Sequence, residues 1–306
     1  MTTRDVEHLL VSLGLDYDRV HPITGGWSYW TFEVEQDDHG EYVELSEGEP
    51  GWIFRFARKG VVAENLQKEQ AVLPVVAPRV DFAVPRFEHA GNWIGQPYVG
   101  YRRIPGRSLD HPELTAETSQ FLGIAFTQLH GVPTSLVTEA CDVEPTVDSW
   151  RQRYCVLRDE VRTNISPLLK SNVRDAVERG FERFFREQLE TLNDVNLVHC
   201  DLGCEHILIG DDGTTVSGLI DFEDASIGDP TIDFVGIFVT YGMETVARVR
   251  DGYRRVLDEH FEHRLRFYTW MASCHETLYG LDEGRSDLVE RGIEGLRRRL
   301  VNAGLI

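Results

Sequence analysis

The sequence predicts an α+β protein, with a strand-rich first part of about a hundred residues and a larger, mainly helical second part. Three observations predict it. Aromatic and β-branched runs with period-two alternation cluster before Pro105, apolar residues at helical spacing dominate after Gly106, and a short β-rich insert at 196–222 interrupts the helices. At 306 residues the chain suits two lobes or two modest domains better than one minimal domain.

The elements follow in order. Residues 28–34 (Ser-Tyr-Trp-Thr-Phe-Glu-Val) read as a strand that starts just after Gly25-Gly26. Residues 51–57 alternate in the same manner, which places Ile53, Arg55 and Ala57 on one face. The acidic stretch 36–50 between them reads as a hairpin loop or an extended excursion. Leu66, Gln70 and Leu73 give 63–75 the spacing of an amphipathic helix. Residues 93–104 read as a further strand, ended by Pro105-Gly106. Helices are expected over 115–130, 147–165, 173–192, 243–260 and 267–281. The expected division is therefore 1–104 and 105–306. Trp27, Trp30 and Trp52 read as packing residues, not as a cofactor box.

Composition excludes several classes. The 51 acidic residues exceed the 31 basic ones and give a net charge of −20, a field that repels nucleic acid and favours cationic ligands. Three of the basic residues are lysines (Lys59, Lys68, Lys170), which fits a high-GC genome, a salt-adapted cytoplasm or simply an acidic surface. No run of apolar residues is long enough to span a membrane, and residues 1–8 lack the apolar core of a signal peptide. Five cysteines, an odd number without even spacing, fit reduced thiols, so a cytoplasmic location is expected. Oligomeric state has no signature here.

Chemistry concentrates in 197–224. An apolar strand delivers His199-Cys200-Asp201 into a turn, Ile207-Leu208-Ile209 leads back, and a hairpin through Asp211-Asp212-Gly213 ends at Asp221-Phe222-Glu223-Asp224. Two carboxylates and a histidine at the mouths of adjacent short strands can converge on one point. Phosphoryl transfer needs that: a base facing the acceptor hydroxyl and ligands for a divalent cation bridging the phosphates. Cys200, Cys204, His199 and His206 could also be read as zinc ligands, but alternation sends neighbouring strand side chains to opposite faces.

This segment resembles the catalytic loop and metal motif of the aminoglycoside-phosphotransferase family, relatives of protein kinases. The family loop reads His-Gly-Asp, four residues, then Asn; here His199-Cys200-Asp201 is followed by His206 in the Asn place. The resemblance implies Asp201 as catalytic base, Asp221 and His206 as metal ligands, and His199 as a residue that orders the loop. The run Gly228-Asp229-Pro230-Thr231-Ile232-Asp233-Phe234 is similar to the family's structural GDP-x-x-DF tail. Gly25, Gly26 and Ser28 resemble its nucleotide loop, and Arg55 stands where its phosphate-binding lysine would. Glu69 matches the helix glutamate that pairs with that lysine, while Tyr98 and Tyr101 lie near the hinge. Tyr279-Gly280-Leu281-Asp282-Glu283-Gly284 looks like the C-terminal region of aminoglycoside 2''-phosphotransferases.

The resemblance covers nearly the whole chain. It implies a two-lobed protein-kinase-like fold, with a small antiparallel-sheet N-lobe (1–104) and a larger helical C-lobe (105–306). It also implies ATP or GTP as co-substrate, Mg²⁺ or, given an imidazole ligand, Mn²⁺, and an aminoglycoside acceptor with a role in resistance. Arginine for lysine at 55 and histidine for asparagine at 206 are features similar to macrolide phosphotransferases, so a macrolide or another hydroxyl compound is the alternative acceptor. A non-catalytic nucleotide-binding module is the alternative of a different class. Residues 235–240 are apolar where the 2''-branch carries acids; Glu244, Glu276, Asp282 and Glu283 could supply charge instead, and Glu205, Glu244 and Glu276 are taken as the candidate substrate-binding carboxylates.

Overall fold

The structure is a computed structural model that describes residues 1–24, 28–36, 51–58, 60–109 and 114–306, with the backbone alone for 60–62. It opens with a helix, α1 (Thr3–Leu13), in a stretch for which the sequence reading placed no helix. Its start is nevertheless written locally. Thr2 and Asp5 cap each other reciprocally, and Val6, Leu9 and Leu10 make one apolar stripe. Gly14, at φ 69°, ends it in a left-handed cap.

The stripe lies on one face of a five-stranded antiparallel sheet. Its strands are β1 (Arg19–Ile23), β2 (Tyr29–Glu35), β3 (Gly51–Ala57), β4 (Phe87–Trp93) and β5 (Gln96–Arg102), in the order β1-β2-β3-β5-β4. Pro22 falls in the edge strand, where its missing donor costs no ladder bond. Alternation along β3 sends Trp52, Phe54 and Phe56 to the α1 side, into one cluster with Phe32, Val34 and Tyr98. Arg55 and Ala57 take the other face, as the period-two pattern predicts, and there α2 (Gly60–Val76) packs.

Beyond Arg102 the chain turns into a mainly helical part. A two-residue strand, β6 (Arg107–Ser108), is followed by α3 (Ala116–His130), α4 (Thr138–Cys141), α5 (Val147–Glu160) and α6 (Ser171–Arg183). A wide π turn prolongs α5 to Ile165 and another prolongs α6 to Gln188, close to the helix ends that the periodicity suggests. Four short strands come next: β7 (Asn196–Val198), β8 (Ile207–Ile209), β9 (Val216–Leu219) and β10 (Ser226–Gly228). β10 pairs with β7, while β8 lies between β6 and β9. The chain ends in α7 (Val235–Gly252), α8 (Phe261–Asp282) and α9 (Ser286–Asn302).

Two differences from the sequence reading have physical causes. α7 starts at Val235 because it is two helical stretches joined at Gly242 (φ 80°); the first is the apolar run 235–240, whose periodicity is too short to register alone. In α9 the buried stripe of Leu288, Leu296 and Leu300 is interrupted by Gly292, which takes the fourth buried place and breaks the apolar periodicity. The second core is strongly aromatic, with Phe184 stacked on Phe267 at 3.8 Å and Phe126 edge-on to Phe234 at 5.0 Å. A sheet-bearing first part and a helical second part thus form the α+β, two-lobed arrangement expected. Ala83, in the segment between α2 and β4, donates to the Ser217 carbonyl at 2.8 Å and ties the two parts together.

Candidate active site

The site is built on a buried carboxylate. Asp233, fully buried, accepts from the backbone N–H groups of His199 and Cys200, both at 2.9 Å, and from His130 Nε2, also at 2.9 Å. The Tyr253 hydroxyl donates to the other nitrogen of His130 at 2.9 Å and fixes that ring. The loop after β7 is therefore gripped at its backbone, with Cys200 held in the left-handed region at φ 69°. That turn throws Asp201 outward, its side chain 63% exposed.

His199 points inward. Its Nε2 donates to the Ile220 carbonyl at 2.9 Å, so the loop is tied to the residue before Asp221. Burial, the largest influence, depresses the His199 imidazole. An ordering role, as the resemblance implies, matches this contact.

His206 stands between the two aspartates. Its Nδ1 donates to the Asp201 carbonyl at 2.7 Å, which turns Nε2 toward the second carboxylate. Nδ1 is 3.8 Å from Asp201 Oδ2, and Nε2 is 3.6 Å from Asp221 Oδ2. Burial disfavours the imidazolium, yet Asp221 and then Asp201 outweigh it and raise the ring above its ordinary value.

Asp221, also left-handed at φ 69°, is held by Arg55, whose guanidinium donates to Oδ1 at 2.7 Å. A second nitrogen of Arg55 bonds both oxygens of Glu69 at 3.0 Å, and the Tyr29 ring lies 4.0 Å from the guanidinium carbon. Glu69 also accepts from the Phe222 N–H at 3.2 Å, so helix α2, strand β3 and the 221–224 turn meet at one ion-pair triad. Burial opposes the Arg55 charge, but Glu69 and Asp221 raise its pKa well above the ordinary value. Burial would also raise Asp221; Arg55, His206 and His199 together hold it below its ordinary value.

Other residues expected at the site fall unevenly. Tyr101 shares the Arg55 face and its field. Tyr98 does not: Arg55 pairs across the sheet with Val99, so Tyr98 turns to the opposite face and packs on Phe54 and Phe56. Ser28 lies beside Glu223. Gly25 and Gly26 lie outside the described residues. Next to Asp201 is a cavity of about 270 Å³, walled by α5, α8, the 200–203 loop and the start of α7. Glu205, Glu244 and Glu276 do not line it. Glu205 is exposed, Glu244 is paired with Arg248 at 3.4 Å, and Glu276 is held by Arg291.

Four residues with a part in the site escaped the sequence reading. Asp224, Arg153 and His275 line the cavity. Glu223 has its carboxyl pushed up to about 7 by burial and by Asp221 and Asp224, with Oε2 unbonded among the described residues. Proximity to Asp221 in the chain was a signal for Glu223 and Asp224. Nothing in the local sequence marks Arg153 or His275.

Comparison with known proteins agrees with this architecture. The chain is 28% identical over 255 residues to viomycin phosphotransferase of Streptomyces vinaceus, which covers 79% of this chain and 85% of that one. Among solved structures it resembles the GDP complex of aminoglycoside 2'-phosphotransferase-IIIa with a TM-score of 0.84 at 22% identity, over 99% of both chains. It resembles macrolide 2'-phosphotransferase type I with a TM-score of 0.74 at 22% identity, over 97% of this chain and 98% of that one. At such identities these two likenesses establish the kinase-like fold. Residues 19–268 match the model of the phosphotransferase enzyme family, and the chain belongs to that family.

Proposed function

We propose that the protein transfers the γ-phosphate of ATP or GTP to a hydroxyl of an antibiotic, with Asp201 as the base that orients and deprotonates it. The observation that carries this is His206 set between the Asp201 and Asp221 carboxylates, at 3.8 and 3.6 Å. A base facing an open cavity and a donor pair facing Arg55 are then two sides of one centre. Catalysis in such a site is mainly positioning and charge neutralisation.

In this reading Arg55, anchored by Glu69, neutralises nucleotide phosphates, with Ser28, Tyr101 and the Gly25-Gly26 loop around the nucleotide. His206 Nε2 and Asp221 Oδ2 are the donors for a divalent cation, Mg²⁺ or Mn²⁺. Two protein donors suit an ion that takes its remaining ligands from phosphates and water, and which would offset phosphate charge when bound. Asp201, hydrogen-bonded through its carbonyl to His206, keeps its carboxylate free for the acceptor hydroxyl. The residues divide into a nucleotide-binding part at 1–104 and a catalytic and acceptor-binding part at 105–306. The names of the relatives, viomycin and aminoglycoside phosphotransferases, support an antibiotic acceptor and a role in resistance.

The test is phosphate transfer with ATP and with GTP, in Mg²⁺ and in Mn²⁺, against viomycin, kanamycin and a macrolide. Acceptor-dependent turnover that falls by about 10³-fold or more in Asp201→Asn is the expected result. Equal turnover in wild type and Asp201→Asn would sink the proposal and leave a nucleotide-binding module.

A further inference from the structure

Arg153 projects from α5 into the cavity beside Asp201. The other two arginines of α5 are paired: Arg151 with Glu190 at 3.4 Å and Arg158 with Asp159 at 3.7 Å. Arg153 is exposed on the cavity side, with no carboxylate at ion-pair distance and no hydrogen bond among the described residues. Its guanidinium lies 5.4 Å from the Trp150 ring, and Trp150 is itself pinned, donating from Nε1 to the Tyr268 hydroxyl at 2.9 Å. Tyr268 in turn donates to the buried Asp229 at 2.7 Å. The cation is therefore aimed by a rigid support and left open on the cavity side. His275 of α8 and Asp224 line the same wall, and the Asp224 charge acts on both Arg153 and His275.

A bound acceptor strips water from this wall. An arginine desolvated without a partner is costly, and an arginine facing a ligand amine is costlier still. We propose that Arg153 determines acceptor specificity: it binds a carbonyl or carboxylate oxygen that the acceptor carries beside the hydroxyl to be phosphorylated. The acceptor is then of amide- or carboxylate-bearing, peptide-like chemistry, with any amines turned toward Asp201 and Asp224, and not an aminosugar whose charged groups are all amines. This inference rests on the kinase reading above and narrows its acceptor.

The experiment compares wild type, Arg153→Ala, Arg153→Lys and Arg153→Glu on viomycin, whose peptide ring carries amide carbonyls, and on kanamycin, whose charges are amines. Thermal unfolding of each variant checks that the fold is kept. Expected are a preference of wild type for viomycin and a rise of about 10- to 100-fold in its KM in Arg153→Ala, with kcat within about threefold. Arg153→Lys restores part of the loss, and Arg153→Glu lowers the KM for kanamycin. An unchanged acceptor KM in Arg153→Ala, a loss in kcat alone, or a wild-type preference for kanamycin overturns the inference while leaving the kinase reading intact. Turnover that survives Asp201→Asn, or no turnover with any acceptor, overturns both.

Discussion

Replacing Glu69 by glutamine removes one charge from the triad while keeping its volume. Glu69 is fully buried and accepts three hydrogen bonds, two from Arg55 and one from the Phe222 N–H. Glutamine retains one acceptor oxygen, enough for Phe222, but turns an NH₂ toward the Arg55 guanidinium, donor against donor. Breaking a buried pair from one side costs about 3–5 kcal/mol. Asp221 still holds Arg55 at 2.7 Å, so the lower end applies, about 3 kcal/mol. Urea unfolding followed by tryptophan fluorescence measures that loss directly. Function shifts as well, because an Arg55 released from Glu69 swings fully onto Asp221 and takes a proposed metal ligand with it. Three kcal/mol on transition-state binding corresponds to a drop of about 100-fold in kcat/KM for the nucleotide. A stability change under about 1 kcal/mol together with unchanged nucleotide kinetics would refute the reasoning. The triad would then be a packing feature and not the anchor of the site.

Two further predictions rest on backbone strain and on charge. Cys200 sits at φ 69°, a conformation costing a non-glycine residue about 1–2 kcal/mol, while glycine adds about 0.5–1 kcal/mol of unfolded-chain freedom. Cys200→Gly should therefore leave stability within about 1 kcal/mol of wild type, on the stable side; a loss beyond about 2 kcal/mol in urea melts would show that the thiol's packing outweighs the strain. Asp258 receives two bonds from Arg264, at 2.9 and 2.8 Å, which overcome its burial and hold its carboxyl below the ordinary value. A depressed carboxylate contributes stability above the unfolded pKa, near 4, and loses it as pH falls through the lower folded value. Asp258→Asn should lower Tm at neutral pH and flatten its fall on acidification; an acid limb as steep as wild type contradicts the assignment.

The legible part of the molecule is the part where chemistry and chain run together. His199, Asp201, His206 and Asp221 fall within two short strands and a hairpin, an order that allows two acids and a histidine to converge; the resemblance singled out His206, and the structure sets it between Asp201 and Asp221. Arg55 with Glu69 was readable through the resemblance, which sets them where the family has its phosphate-binding lysine and the helix glutamate that pairs with it, and the structure joins them at 3.0 Å. Tyr98 was not, and the reason is parity. The β3–β5 register pairs Arg55 with Val99, and a one-residue offset sends a side chain to the other face. No single sequence carries that register.

The cavity proposed to take the acceptor was illegible for a deeper reason. Its walls come from α5, α8 and the start of α7, helices far apart in the chain, and helical periodicity reports which face is buried but not what the other face looks at. Choosing Glu205, Glu244 and Glu276 from charge alone selected carboxylates that are exposed or already paired with arginine at the surface. The informative residue was one of opposite sign. What sets Arg153 apart is its place: it is the arginine that lines this cavity, and it has no acid partner among the described residues, which only the packed helices reveal. Reaction type is thus written in contiguous motifs, whereas substrate choice is written in the leftover valences of packed helices, which is why the first can be read from residue order and the second needs the fold.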